Sequence, residues 1–177
     1  MPVGLLMSNA NLFVAVLMGS DSDLVTMQGC MDVLAGLEVP CEVHITSAHR
    51  TPEATRSYVN DAEKRGCAVF IAAAGMAAHL AGAVAAQTIR PVIGVPIDAG
   101  PLKGMDALLS TVQMPAGVPV AGVAIGSAGA KNAAFLAAQM LGLADSALRD
   151  RLRAERAANA ENVAAKDRAL QKKLQSR

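Results

Sequence analysis

The stretch FVAVLMGSDSDLVTMQGCMDVLAGLEVPCEVHIT, residues 13–46, decides the fold. It opens on a short, wholly apolar run at 13–18 that Gly19 closes, the mark of a strand buried on both faces. Leu24, Met27, Met31 and Leu34 then recur at helical spacing, with Ser22 or Asp23 placed as the cap. Residues 39–46 read as a second strand. Strand, helix and strand in succession predict a parallel pair joined by a right-handed crossover. The alternation continues outward. Thr51-Pro52-Glu53 starts a helix, with Pro at its first position, and Gly66 stops it after Arg65. Residues 67–73 form a third strand, the most hydrophobic, and 79–88 a helix of small residues. Strands at 92–95 and 120–125 alternate with helices at 104–112 and 129–141. Five strands with helices on both faces make a three-layer, doubly wound sheet. The charged, Ala-rich segment 144–174 lies beyond that sheet. It reads as a helical arm long enough to dock on another subunit.

Composition narrows the function classes. Of 177 residues 53% are apolar, but Trp is absent and there are only one Tyr and three Phe. Mean hydropathy is +0.34. Much of the excess is alanine, so each element buries little area, and a lone subunit is expected to leave apolar surface exposed; this points to a homo-oligomer. Net charge is +1, which gives no reason to expect nucleic acid. From Asp145 onward nine Lys/Arg face five Asp/Glu, against seven and ten before it, so the basic excess is a solvated helix face rather than an anion patch. Cys30, Cys41 and Cys67 lie far apart, which is neither a disulfide framework nor a metal-ligand spacing, and a reducing cytoplasm fits. Cys41 and Cys67 fall in apolar runs, where a thiol acts as a small hydrophobe. Residues 1–12 lack the basic and apolar regions of a signal peptide. The uncharged run 67–86 is broken by Gly75, His79 and Gly82, so a buried strand and helix are expected there rather than a membrane span.

In doubly wound sheets ligands bind beyond the carboxyl ends of the strands, beside a switch in strand order. The loops after the first three strands are polar in an otherwise apolar chain. The first, Gly19-Ser20-Asp21-Ser22-Asp23, leads into a helix, where free N–H groups and hydroxyls suit a phosphate. Asp23 would repel a phosphate and suits ribose hydroxyls or an amino group. Plain helix capping explains the same residues. The second loop, Ser47-Ala48-His49-Arg50-Thr51-Pro52, gathers a group that moves protons near neutral pH and one that pairs phosphate or carboxylate in a bidentate way. His44, inside the second strand near Glu42, reads as structural or surface. In the third loop, Ala74 to Leu80, small residues let a ligand approach the backbone, and His79 is either a ligand contact or a hydrogen-bonded core histidine. Gly126-Ser127-Ala128-Gly129 reads as a tight turn before a helix. No Ser–His–Asp order, HExxH or other metal spacing occurs.

Taken together, GSDSD at 19–23, SAHRTP at 47–52, AAHL at 77–80, PVIGVP at 91–96, LKGMDALLSTVQMPAGVPV at 102–120 and AIGSAGAKNAA at 124–134 resemble the class I N5-carboxyaminoimidazole ribonucleotide mutase family. The resemblance spans residues 13–143. It implies a flavodoxin-like α/β/α sandwich with a parallel five-stranded sheet over 13–143. It also implies a C-terminal helical extension, 144–177, packing on neighbouring subunits of an octamer. It implies that Ser20, Ser22 and Asp23 bind the ribonucleotide, that Ser47 and Arg50 join them, Arg50 through the phosphate, and that His49 is the general acid and base. Gly75, Ala77, His79 and Leu80 would line a pocket for the migrating carboxyl group. The implied enzyme is a cytoplasmic isomerase of purine biosynthesis that works without a metal or organic cofactor, with transient contact to the synthetase that forms its carbamate substrate.

Two stretches depart from the family pattern. The third loop reads GMAAHLAG where the family usually reads GGAAHLPG, so a left-handed backbone at 76 would strain Met76. Asp98-Ala99 stands where the family often has a serine nearby. Two other functions fit the same scaffold. A class II carboxylase would use free carbon dioxide; its third loop lacks AAHL. A non-catalytic nucleotide-binding module would need the first loop but have no use for His49.

Overall fold

The computed structural model describes residues 12–176. The reading of the leading segment as no signal peptide concerns residues that, apart from Leu12, lie outside them. The five strands are β1 (Phe13–Met18), β2 (Cys41–Ile45), β3 (Cys67–Gly75), β4 (Val92–Ile97) and β5 (Ala121–Gly122), all parallel, in the order β2-β1-β3-β4-β5. The order reverses between β1 and β3. In the register Val16 lies between Val43 and Ile71. Every residue of β1 and β4 is buried, as their unbroken apolar runs require of strands covered on both faces.

Two helices cover one face. α1 (Leu24–Gly36) and α5 (Gly126–Gly142) pack Met27, Cys30, Leu34 and a row of alanines against Val14, Val16, Ile71 and Ile93. On the other face α2 (Pro52–Arg65) and α3 (Leu80–Ala85) set Val59, Ala62, Leu80 and Val84 against Ala15, Leu17, Phe70 and Ala72. α4 (Met105–Val112) lies on this face too, over β4. It comes that close because residue 94 is glycine: a Cβ there would stand 2.2 Å from Thr111 Cγ2. α2 ends as the sequence predicts, on Gly66 with φ +104.

α6 (Ser146–Gln175) is capped by the Asp145 carboxylate, which accepts from the Leu148 N–H at 3.0 Å. Only Leu148 of its 30 residues is buried. Arg151 ties its first turns to the Leu37 carbonyl. No helix among the described residues is long and apolar enough to cross a membrane.

Three expectations need correction. The strand expected at 120–125 pairs only through Ala121 and Gly122: Pro119 has no N–H to donate, and the chain leaves the ladder after the Val123 N–H bonds the Gly94 carbonyl. The segment 126–129 is not a separate turn but the first turn of α5, entered from an extended Ile125. Cys41 is exposed, because β2 is an edge strand with little packed on it, so only Cys30 and Cys67 serve as buried small hydrophobes. Burial pushes their thiols up, to about 12 and about 11. His44 lies away from the loops, exposed on the edge strand with its ring packed on Tyr58 at 4.2 Å between centroids, in line with the structural or surface reading.

Candidate active site

A cavity of about 340 Å³ opens where β1, β2, β3 and β4 end. All ten residues singled out from the sequence line it: Ser20, Ser22, Asp23, Ser47, His49, Arg50, Gly75, Ala77, His79 and Leu80. The place follows from topology. β1 and β3 are neighbours at the switch in strand order, so the helices that follow them leave on opposite faces and their loops part. The Gly19 N–H bonds the Ala73 carbonyl at 3.0 Å and fixes the floor between them.

The first loop is a short 3-10 turn, Asp21–Asp23, capped by Ser20. Asp23 Oδ2 accepts from the Ser20 N–H at 3.1 Å, and Ser20 Oγ accepts from the Ser22 N–H at 3.3 Å, a reciprocal capping box. The Ser22 hydroxyl donates to Ser20 Oγ at 2.9 Å. Capping and cavity lining therefore coexist in the same side chains. Asp23 is buried, and burial raises its carboxyl above the ordinary range, against the hydrogen bonds from Ser20, Gly19 and Ser22 that pull it down. It is the one carboxylate among the described residues lining the cavity.

The second loop is knitted by threonines. Thr46 and Thr55 hydroxyls lie 2.6 Å apart in a buried contact, and Thr51 Oγ1 accepts from the Ser47 N–H at 2.9 Å. Ser47 Oγ accepts from the Arg50 N–H at 3.1 Å, and the Arg50 guanidinium reaches 31 residues back to donate to the Gly19 carbonyl at 3.1 Å. Arg50 is thereby anchored in the first loop, the single Lys or Arg among the described cavity-lining residues. A planar fork held at the end of a helix-opening loop is suited to a phosphate.

The third loop meets the second through its histidines. His49 Nε2 lies 2.7 Å from His79 Nδ1, with the rings edge to face at 4.9 Å. In the neutral pair one of these nitrogens carries the hydrogen and the other accepts it. His79 is thus not a core histidine but the partner of His49 at the cavity wall. Gly75 is fixed by close approach: a Cβ there would stand 2.8 Å from that of Ala99. Met76 has φ +54, the left-handed backbone that the sequence comparison raised as a strain.

Ala99 and Met76 line the cavity without having been singled out for it, with Gly19, Ala48 and Ala74. β4 lies beside β3, so its outgoing loop faces the same space; the strand order is the signal that would have found Ala99. Among the described residues no group of three or more His, Cys, Asp or Glu is disposed to hold a metal ion.

A profile of the AIR carboxylase family matches residues 13–162. An N5-carboxyaminoimidazole ribonucleotide mutase of Mycobacterium tuberculosis is 56% identical over 159 residues, covering 90% of each chain. The mutase of the same name from Escherichia coli K12 is 50% identical over 150 residues, 85% of this chain and 89% of that one. The crystal structure of Treponema denticola PurE superposes with a TM-score of 0.81 at 29% identity, covering 90% of this chain and 98% of the other.

Proposed function

The chain belongs to the AIR carboxylase family, and from that premise we propose how it performs the mutase reaction, the conversion of N5-carboxyaminoimidazole ribonucleotide to its carbon-carboxylated isomer in purine biosynthesis. The observation that carries the mechanism is the placement of His49 at the cavity, hydrogen-bonded to His79 and flanked by Arg50 and the first loop. Arg50, Ser20, Ser22 and Ser47 receive the phosphate, and Asp23 accepts from the ribose hydroxyls. His49 gives a proton to the carbamate nitrogen as its N–C bond breaks, and the bonding pair stays on nitrogen. Carbon dioxide is left in the small-residue end of the cavity, beside Gly75, Ala77, His79 and Leu80. The ring carbon attacks it, and His49 takes the ring proton to restore aromaticity. One proton is given and one returned, so protons balance within the turnover. Holding carbon dioxide beside its nucleophile replaces recapture from solution, an advantage of ~7–11 kcal/mol at its best.

The enzyme works as a homo-oligomer, an octamer by family likeness, in the cytoplasm, and it meets the carbamate-forming synthetase transiently. Two unpartnered apolar faces support assembly. Met105, Leu109 and Val112 lie along one side of α4, each about half exposed, and Val163, Leu170 and Leu174 make a stripe on α6. The helical extension is the segment that packs on neighbours.

The test is His49→Gln assayed for carboxyl transfer with the carbamate substrate, alongside direct ligand binding. Turnover is expected to fall ~10²–10⁴-fold, the usual worth of a general acid–base group, with binding within a fewfold. Retained turnover rejects His49 as the proton carrier.

A further inference from the structure

The loop that carries Ser47, His49 and Arg50 is rooted in a network of hydroxyls. Thr46, Thr51 and Thr55 stand behind it, and none of the three lines the cavity. Thr46 follows β2 directly, and its N–H bonds the Met18 carbonyl at 2.9 Å, which fixes that root to the end of β1. A threonine just before the first turn of a helix ordinarily turns its hydroxyl onto the free N–H groups of that turn. Thr51 makes no such cap on α2. Its oxygen accepts from the Ser47 N–H at 2.9 Å and its hydrogen goes to the Ser47 carbonyl at 3.3 Å, so it closes the loop rather than the helix.

One turn into α2, the Thr55 hydroxyl donates to the Thr51 carbonyl at 3.1 Å. A hydroxyl has one hydrogen, so at the 2.6 Å contact between Thr46 and Thr55 it is Thr46 that donates. Thr46 and Thr55 are 7% and 2% exposed, so water does not replace a bond lost there. The tie on the cavity side is different in kind. The His49 ring is exposed, and its bond to His79 depends on which nitrogens carry hydrogen as His49 gives and takes a proton. Threonine hydroxyls do not titrate where histidine does, so they hold unchanged through the whole proton cycle.

We propose that Thr46 and Thr55 are positioning residues for His49: their buried hydroxyl contact sets where the second loop stands, and with it the distance from the imidazole to the reacting nitrogen and carbon. This rests on the mutase reading above. Neither threonine touches substrate. Arg50 keeps its own tie to the Gly19 carbonyl, so the network acts on proton transfer more than on binding.

Full-length Thr55→Val, Thr46→Val, the double variant and Thr55→Ser are assayed for carboxyl transfer with the carbamate substrate, beside thermal melts. Rates are normalised to sites titrated with the carboxylated product, so unfolded protein does not distort them. In Thr55→Val the buried Thr46 hydroxyl loses its acceptor, and Tm falls. The double variant removes both hydroxyls, while the Thr51 carbonyl keeps the Thr55 N–H, so Tm recovers toward wild type. In both variants kcat is expected to fall at least ~10-fold, because a misplacement of ~1 Å costs about 10²-fold, with KM within about threefold. Thr55→Ser keeps the hydroxyl and is expected to stay within about threefold of wild type in kcat. A merely structural pair predicts that kcat recovers with Tm in the double variant, and that result overturns the proposal. So do a near-normal kcat in Thr55→Val, a change in KM larger than that in kcat, and a Thr55→Ser as slow as Thr55→Val, which traces the loss to the methyl group. If Thr55→Val does not fold, Thr46→Val leaves Thr55 bonded to the Thr51 carbonyl and carries the same kcat and KM predictions. Wild type that transfers no carboxyl group refutes the mutase reading instead.

Discussion

At the residue scale the site is a set of side chains each held by another. Arg50 is pinned to the Gly19 carbonyl, Ser20 and Asp23 cap each other, and His49 shares a hydrogen with His79. Asp23 shows what this costs. Burial raises its carboxyl, so the folded protein binds that proton more tightly than the unfolded chain does. Its contribution to stability is therefore fully present below the ordinary carboxylate value of 3.8 and is lost as pH rises through the raised one. At neutral pH the ionised Asp23 weakens the fold that it serves. Asp23→Asn keeps an oxygen for the Ser20 N–H and sheds the charge. We expect a higher Tm at pH 7, a gain that shrinks as pH is lowered toward 4, and ligand affinity reduced ~10-fold or more through loss of a charged hydrogen bond. Thermal scans across pH and a binding titration check this; a lower Tm at pH 7 would contradict it.

At the element scale, what places the loops is how closely small residues let the layers approach. α4 rests on β4 because Gly94 leaves room for the buried Thr111, whose hydroxyl donates to the Ala107 carbonyl at 2.7 Å. Gly94→Ala is expected to cost ~1–3 kcal/mol by overpacking, a fall in Tm of roughly 2–12 °C for a chain of this size. Thr111→Ser removes the clashing methyl and keeps the hydroxyl, so the double variant should regain most of the loss in a thermal melt. If it does not, the clash is not with Thr111. Most of these elements were legible in the sequence. The bounds of β1 and α2 follow from an apolar run closed by Gly19 and from Pro52 and Gly66. β5 was overestimated, because its apolar run looks the same whether or not a ladder partner exists along its whole length.

At the scale of the whole molecule the described chain exposes more apolar surface than a lone subunit needs. α6 runs ~45 Å, at 1.5 Å per residue, with one buried side chain. Its stripe of Val163, Leu170 and Leu174 recurs at spacings of seven and four, one face of a helix. Replacing all three with Ser should leave the helical circular dichroism of the sheet domain intact and lower the mass measured by light scattering to a smaller assembly. An unchanged mass would show that this face does not join subunits.

The sequence by itself determined the α/β alternation, the parallel sheet, the family resemblance and the three loops, because each is local: a run, a spacing, a capping residue or a short motif carries it. Loop position and residue chemistry pointed to the first two loops and His79, and the resemblance to the family supplied the rest of the ten cavity residues. Only the tertiary structure decided that His49 and His79, 30 residues apart, share a hydrogen bond, that Ala99 lines the cavity, and that Met76 lies beside Gly100. These are contacts between loops on adjacent strands. They depend on strand order and on distances of a few ångströms, which no periodicity along the chain records.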